Sequence, residues 1–235
     1  IGSSAASDVY KRQIYLLLLA NFALSDTFKS WEANFEFSHH EFGKFKMKRS
    51  FEVNGDNITS SFTLRPLLIF EYSQKSDLII KNGGLVNSFK TFVKNNVPGD
   101  HPKLFTVVFS EGFITSKELN FSIETNDRIL DQLGSDLQMR INAKKGIGSY
   151  DLNVINNDKG NVVERKYQVL GNEVIETPFG SYETIKVSAT STDSSTIIYF
   201  LAPDLDYFVV QSYVELKNGK RNILKVTEMP RFLEE

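Results

Sequence analysis

The stretch that decides the fold class is residues 31–37, which read Trp31-Glu32-Ala33-Asn34-Phe35-Glu36-Phe37. Apolar and polar residues alternate here with a period of two, and successive side chains of a β-strand point to opposite faces with that same period. One face of the strand is therefore apolar and the other polar, as in an antiparallel sheet with one buried side. The stretch predicts a half-buried β-strand.

The same alternation continues downstream of residues 31–37. The next two predicted strands have apolar faces at Phe45, Met47, Phe51, Val53, Ile58, Phe62 and Leu64. Turn residues separate such runs, and Asn218-Gly219 between two alternating segments is the strongest hairpin signal. Further strands are predicted at 150–155, 162–170, 173–176, 182–189, 196–201, 208–216 and 222–228. The predicted fold class is all-β, mainly antiparallel: a curved sheet, half-barrel or barrel-like sandwich.

One segment departs from the alternation and predicts a helix. Apolar residues recur every four positions at Ile129, Leu133, Leu137 and Ile141. This spacing predicts one amphipathic helix from Asp127 to about Ala143, packed against the sheet. Thr125, Asn126 and Asp127 supply capping oxygens at its start, and Gly146 is expected to end it. Gly134 costs about 1 kcal/mol of helix propensity relative to alanine, so the helix is expected to depend on packing.

Residues 14–25 decide the predicted location of the protein. A short apolar run follows Lys11 and Arg12 and ends with small residues at Ala23 and Ser25, which is the pattern of a secretory signal peptide. The run is too short to span a bilayer, and the alternative is a buried N-terminal helix. Residues 1–13 have no apolar period, and their end, Ser-Asp-Val-Tyr-Lys-Arg-Gln at 7–13, resembles a translated adapter sequence. We therefore expect an artefactual leader plus signal peptide at 1–25, a single β-rich domain at 26–235, and a periplasmic protein without a transmembrane segment in its mature chain.

Composition narrows the class of partner. The chain is 41% hydrophobic and 24% charged, which suffices for a packed core, and its net charge of -2 gives no argument for binding nucleic acid. It contains no cysteine, which excludes disulfides and thiolate chemistry. An exported chain without disulfides fits a bacterial periplasm. The lysine-rich run from Lys44 to Arg49 is interpreted as a solvated strand face that protects a sheet edge.

Two sets of residues resemble metal ligands. His39, His40 and Glu41 could bind zinc or copper if Glu36 or His101 completed the set, but neighbouring strand residues point to opposite faces. A polar hairpin tip is the preferred interpretation.

Calcium could be held by Asp204 and Asp206 with Asp193, although the pattern of an EF-hand loop is absent. We predict no metal and no cofactor.

Aromatic residues suggest a binding function. The chain has 19 Phe and one Trp, and the inward faces of the predicted strands carry Trp31, Phe35, Phe37, Phe45, Phe62 and Phe70. In a half-barrel these side chains could line a groove for a lipid-like molecule. The leading hypothesis is a non-catalytic periplasmic protein that binds an apolar or amphipathic ligand in its curved sheet. The alternative is a structural or protein-interaction module of the envelope with a fully packed core. An envelope hydrolase, with a carboxylate beside a histidine, is the minority hypothesis.

The second half of the chain resembles a known family. The features are Tyr167 to Leu170 followed by Gly171-Asn172-Glu173, a Thr177-Pro178-Phe179-Gly180 turn that opens a strand, the segment from Leu201 to Tyr207, and a closing Asn-Gly hairpin. They are similar to the exported bacterial proteins of the domain of unknown function 3108 family. Members often carry Trp where this chain has Phe200.

The resemblance spans about residues 28–230, with a helix near Asp127. It implies an envelope location and a curved antiparallel sheet that encloses a helix, and it implies no reaction. Pro178, Gly180 and Pro203 have the properties of turn residues, because proline fixes φ and glycine accepts a positive φ. We therefore expect these signature positions, together with Asp127, Glu173 and Thr177, to be structural.

Overall fold

The computed structural model describes residues 28–67, 70–97, 103–156, 161–191, 194–216 and 218–233. The predicted leader and signal peptide lie outside the described residues, as do His101 and Asp193. In the described part of the chain, no helix is long and apolar enough to cross a membrane.

Strands make up most of the described chain. The strands before the helix are β1 (Trp31–His39), β2 (Gly43–Asn54), β3 (Asn57–Leu67), β4 (Phe70–Lys81), β5 (Leu85–Asn95), β6 (Lys103–Ser110), β7 (Phe113–Ser116), β8 (Phe121–Glu124) and β9 (Ile129–Leu130). The helix α1 spans Gln132–Lys144. It is followed by β10 (Ser149–Ile155), β11 (Val162–Thr177), β12 (Gly180–Ser191), β13 (Ser194–Ala202), a 3-10 helix (Pro203–Leu205), β14 (Phe208–Glu215), β15 (Arg221–Val226) and β16 (Arg231–Phe232).

These strands form one large, curved and unclosed sheet. Its order is β8-β7-β6-β5-β4-β3-β2-β1-β15-β14-β13-β12-β11-β10-β9, and β16 also pairs with β1. Two meanders, one from each half of the chain, are therefore joined through β1 and β15, where Phe35 lies opposite Val226. Within the described residues, the strands pair antiparallel except for β9 and β10, which pair in parallel. The predicted fold class, mainly antiparallel β with one helix against a curved sheet, is confirmed.

The helix begins later than the sequence pattern predicts. Ile129 and Leu130, assigned above to the helical stripe, instead form β9 and pair in parallel with β10. Asp131 is the N-cap, and its side chain accepts a hydrogen bond from the Gly134 backbone N–H. The predicted start at Asp127 was therefore wrong by about one turn. The C-terminal prediction is close, since the Gly146 N–H donates to Ala143 and its φ is +70°.

One strand is longer than predicted. The segments 162–170 and 173–176 were expected to be separate strands, but they belong to the single strand β11. The register with β12 shifts between Val169 and Gly171, where Gly171 has a φ of +124°. Gly171 therefore lies in a β-bulge, and the strand continues beyond it. The predicted hairpin is present, since Asn218-Gly219 joins β14 to β15.

The core forms where α1 packs into the concave face of the sheet. Trp31, Phe35, Phe51 and Phe208 are each at most 5% exposed. Trp31 stacks on Phe51 with ring centroids 5.8 Å apart and meets Phe208 edge-on at 4.8 Å. Aromatic pairs at these separations add about 0.5–1.5 kcal/mol each to the stability from burial.

A buried polar network fixes the N-terminal end of α1 to the sheet. Asp131 is fully buried, and its carboxylate accepts hydrogen bonds from the Gly134 N–H (2.6 Å) and the Thr91 hydroxyl, while its own N–H donates to Ser88 Oγ (2.9 Å). Thr91 and Ser88 belong to β5, so β5 holds the helix start. Burial raises the pKa of Asp131, although the hydrogen bonds from Thr91 and Gly134 oppose the shift.

We expect the close contact between the start of α1 and the sheet to require glycine at position 134, despite the low helix propensity of this residue. A Cβ at this position would lie 2.7 Å from Ser88 Oγ and 3.3 Å from Leu78 Cδ2. Gly134→Ala gains up to about 1 kcal/mol of helix propensity but overpacks the interface, which typically costs about 1–3 kcal/mol. We expect a net loss of stability in urea unfolding.

The double variant Ser88→Ala/Gly134→Ala removes the close oxygen, so it should lose less stability than the sum of the two single variants. Gly148 has open space around its Cβ position, and Gly148→Ala is the matched control. A stability gain in Gly134→Ala would contradict the assigned packing.

Asp131 should make stability depend on pH in a defined direction. Because its pKa is raised in the fold, its contribution to the free energy of unfolding is fully present below the unfolded value of 3.8 and is lost as pH rises through the folded pKa. Asp131→Asn is neutral at every pH. We expect the wild type to gain stability relative to Asp131→Asn as the pH is lowered from about 7 to about 4. A difference that stays constant between these pH values would be inconsistent with a raised pKa.

Candidate functional site

The helix covers only part of the concave face. Phe35 is 1% exposed under α1, whereas Phe37, two residues further along the same face of β1, is partly exposed. The helix starts at Gln132 part-way along the sheet and runs toward the end that contains Trp31. Beyond its N-terminus, Val93 and Phe105 of the concave face are buried in a second cluster with Ile155, whereas the part around Phe37 is left without a helical cover.

We call this surface the open inner face. It is defined by partly exposed apolar side chains from both meanders: Phe37, Phe45, Met47, Phe62, Phe70, Tyr72, Ile197, Val214 and Leu224. The strand register places them next to one another, since Phe37 lies opposite Phe45 on β2 and opposite Leu224 on β15. Phe62 and Tyr72 meet edge-on with centroids 5.1 Å apart. The surface is therefore continuous across the β1–β15 junction.

The predicted site residues divide between the two parts of the concave face. Phe37, Phe45, Phe62 and Phe70 lie on the open inner face. Trp31 and Phe35 instead belong to the core under α1. The void that both of them line there has a volume of about 20 Å³, enough for one water molecule. A lipid-sized ligand therefore has no space beside Trp31.

Charged side chains lie at the boundary between α1 and the open inner face. Arg49 of β2 forms an ion pair with Asp136 of α1, with Nη2 and Oδ2 3.3 Å apart, and the two side chains are 12% and 14% exposed. Arg165 of β11 donates from Nη1 to Gln132 Oε1 at 2.7 Å. Tyr199 Oη donates to Asp136 Oδ1 at 3.4 Å. These side chains form what we call the boundary cluster.

The boundary cluster has distinct electrostatics. The pKa of Tyr199 is raised well above its usual value, first by burial and next by the charge of Asp136, while Arg165 and Arg49 oppose the shift. The phenol is therefore a hydrogen-bond donor at every physiological pH. The two arginines are linked through the helix, because Gln132 Nε2 donates to Asp136 Oδ1 at 3.4 Å while Arg165 donates to Gln132 and Arg49 to Asp136.

Sequence reasoning assigned Arg49 to the wrong face. It was grouped with Lys44, Lys46 and Lys48 as part of a solvated run, but it lies opposite Ala33 and Phe62 on the concave side. The strand alternation could have shown this, because Arg49 is two residues from both Met47 and Phe51 and therefore lies on the same face as they do. Asp136 and Arg165 were also missed, because their proximity depends on where α1 crosses the sheet.

The histidine pair occupies the tip of the β1–β2 hairpin. His39 Nδ1 accepts from the backbone N–H groups of Glu41 and Phe42, and the ring of His40 contacts Asn222 Oδ1 at 2.9 Å. Burial, and next the charge of His40, lowers the pKa of His39. Across the described ranges, no group of three His, Asp or Glu residues is arranged to hold a metal ion. The two imidazoles therefore organise the hairpin tip.

Asp206 lies beside two cationic side chains of the protein itself. Its Oδ2 lies 3.8 Å from Arg140 Nη2, and Lys144 Nζ lies 3.9 Å from Oδ1. Oδ2 also accepts from the backbone N–H of Lys29 at 2.8 Å. Arg140 also donates to the backbone carbonyls of Asp206 and Tyr207, both of which have positive φ values. Burial lowers the pKa of Arg140 to about 10, so the guanidinium is still charged at neutral pH. Arg140 therefore holds an unusual backbone turn in place.

The remaining signature positions lie in or beside turns and strand pairs. Thr177 Oγ1 donates to the Gly180 carbonyl at 2.7 Å, and Gly180 has a φ of +144°. Glu173 pairs with Lys186 at 2.9 Å. Pro203 is the first residue of the 3-10 helix. Asp127 donates its N–H to Thr125 Oγ1, upstream of β9 and away from the helix cap.

Comparisons with known proteins agree with this architecture. No curated protein sequence matches the chain. A solved structure, the "Beta-barrel-like Protein of Domain of Unknown Function DUF1849" from Brucella abortus, is similar with a TM-score of 0.55 at 11% identity, covering 86% of this chain and 99% of that one. A DUF1329 family protein from Desulfovibrio piger is aligned over 93% of this chain and 91% of its own at 9% identity. Its TM-score is 0.24, which is too low to indicate a shared fold.

The fold thus defines the class as mainly antiparallel, β-barrel-like proteins, and in this chain one helix packs against the concave face. Within this class, the family model described as "Protein of unknown function (DUF3108)" matches residues 41–226. The chain belongs to the DUF3108 family. The resemblance found in the sequence is confirmed, and the matched residues lie within the span of about 28–230 that was predicted for it.

Proposed function

We propose that this protein is a non-catalytic envelope protein that binds the apolar part of a lipid-like molecule on the open inner face. The observation that carries the proposal is the row of partly exposed aromatic side chains on a concave surface, represented by Phe37, Phe45 and Phe62. Aromatic and aliphatic side chains on the concave side of a sheet are normally covered by a second layer. Here α1 supplies that layer for only part of the face, and a ligand would supply the rest.

The expected affinity is moderate. Burial of apolar surface contributes about 25 cal/mol per Å², so covering about 400 Å² of protein and ligand surface gives ~10 kcal/mol. Association itself costs about 4 kcal/mol or more, which leaves a dissociation constant in the micromolar range. Such a complex exchanges its ligand, as a carrier must.

The envelope location is part of the proposal and is supported by the signal-peptide pattern of residues 14–25. Amino-terminal sequencing of the protein recovered from a bacterial periplasm should give a chain that starts at Asp26. Recovery of an uncleaved chain from the cytoplasm would contradict the proposed export.

Ligand binding can be tested with inner-face and outer-face variants. We expect native mass spectrometry of protein purified without detergent to show an added mass that organic solvent extracts as lipid. Phe37→Thr/Phe45→Thr removes two apolar side chains that lie outside the core clusters, so we expect at least a tenfold loss of affinity for an apolar fluorescent probe. Phe89→Thr is the matched control, because Phe89 is 64% exposed on the convex face.

A bare mass that persists after incubation with envelope lipids would overturn the proposal. Equal probe affinity in the wild type and in the Phe37→Thr/Phe45→Thr variant would overturn the assignment to the open inner face.

Protein interaction is a second candidate function, favoured by exposed apolar residues on the convex face of β5 and β6. Phe92, Leu104 and Val108 are 40%, 63% and 38% exposed. Each lies opposite a lysine on a neighbouring strand; the three lysines are Lys75, Lys94 and Lys90. A protein surface that carries both apolar groups and carboxylates would match this pattern. Loss of an envelope interaction in Leu104→Thr, with probe binding unchanged, would support this second function.

A further inference from the structure

The boundary cluster contains more positive than negative charge. Arg49 and Arg165 contribute two guanidinium groups, and Asp136 contributes the one carboxylate that is paired with them. The other carboxyl group at this end of α1 is Asp131, which is fully buried and bonded to β5. The positive end of the helix dipole lies here as well. Arg140, Lys144 and Asp206 form a separate group toward the other end of α1.

Two donors in this cluster have no acceptor. The Nε atoms of Arg49 and Arg165 are both buried, and neither has a hydrogen-bond partner in the described structure. Buried donors without partners are rare in native proteins and cost about 1–3 kcal/mol each, more for charged groups. Two on neighbouring arginines indicate a place where a negatively charged acceptor is favoured.

The apolar surface begins where the cluster ends. Arg49 shares the concave face of β2 with Met47 and Phe45 and lies directly opposite Phe62 on β3. Four residues of strand separate positions 49 and 45, a distance of about 13 Å at ~3.3 Å per residue. A molecule with its charged end at Arg49 would therefore place an extended chain along the aromatic row toward the hairpin tip.

We propose that the ligand of the open inner face is a single-chain amphiphile with an anionic head group, such as a fatty carboxylate. The head group lies between Arg49 and Arg165, and the acyl chain covers Met47, Phe45 and Phe62. This inference rests on the proposed function, since it assigns the polar end of the same ligand. The guanidinium groups position the head group and reject a neutral or cationic one, because desolvating an unpaired arginine is unfavourable.

The test compares two ligands that differ only at the head group. Dodecanoate and dodecanol are titrated against full-length protein carrying a neutral apolar fluorescent probe, and displacement of the probe gives both affinities. We expect the wild type to bind dodecanoate about tenfold more tightly than dodecanol at neutral pH, equivalent to ~1.4 kcal/mol. Arg165→Met should bring the ratio close to one while the affinity for dodecanol is unchanged.

Two further variants separate charge from folding. Arg49→Lys keeps the positive charge and the ion pair with Asp136, so it should retain a preference for dodecanoate. Arg65→Met removes an exposed arginine that pairs with Glu71 on the other face of β3 and β4, and it should leave the ratio at the wild-type value.

The outcomes distinguish the two proposals. If the wild type binds dodecanoate and dodecanol equally, the head-group assignment is wrong and the open inner face remains an apolar binding surface. If the wild type binds neither ligand nor the probe, the proposed function itself is wrong. A preference that survives Arg165→Met and is lost in Arg65→Met would place the head group elsewhere.

Discussion

The attachment of Asp131 to β5 determines how the rest of the interior is arranged. One carboxylate accepts from the helix at Gly134 and from the sheet at Thr91, and the Asp131 N–H donates to Ser88. The start of α1 therefore cannot slide along the concave face without breaking the hydrogen bonds to Thr91 and Ser88. The helix therefore begins at a fixed depth. On its C-terminal side the concave face is packed core, with Trp31 and Phe35 among the buried rings. Beyond its N-terminus, the surface around Phe37 and Phe45 stays partly exposed, while β5 and β6 contribute Val93 and Phe105 to a second buried cluster. The candidate site exists because the helix is short and is fixed at one end of the concave face.

Local patterns were sufficient to predict the elements but not their boundaries. Alternation in residues 31–37 predicts β1 correctly, because a half-buried strand has no other periodicity. The helical stripe was correct from Leu133 onward and wrong at Ile129, because a residue that pairs in a parallel bridge with β10 can fall on the same four-residue spacing. The N-cap is Asp131, which lies inside the predicted helix. Thr125, Asn126 and Asp127 precede it in the sequence and have equally suitable capping side chains. Only the tertiary contact with β5 selects it.

The candidate site shows the same division. Its aromatic wall could be predicted, since Phe37, Phe45 and Phe62 follow the strand alternation. The boundary cluster could not, because it joins β2, α1, β11 and β13, and the partners of Arg49 and Arg165 follow from the path of α1 alone. The family segment from Leu201 to Tyr207 is explained by the structure in a similar way. Arg140 of α1 donates to the carbonyls of Asp206 and Tyr207, the two residues with positive φ in this segment. The conformation of the segment therefore depends on a contact with the helix, which the residues of the segment alone do not predict.

The pairing of β1 with β15 also determines the order in which the molecule can fold. Asn34 bonds to Glu228, a residue 194 positions later in the chain, and the neighbouring ladder joins β1 to one of the last strands to be synthesised. Contacts of such sequence separation are slow to form, because a long loop must close before they stabilise anything. Until then each meander exposes an unpaired strand edge and half of an apolar concave face. Exposed edges and apolar faces of this kind make a folding intermediate prone to aggregation, and that exposure ends only when the last strands to emerge complete the fold.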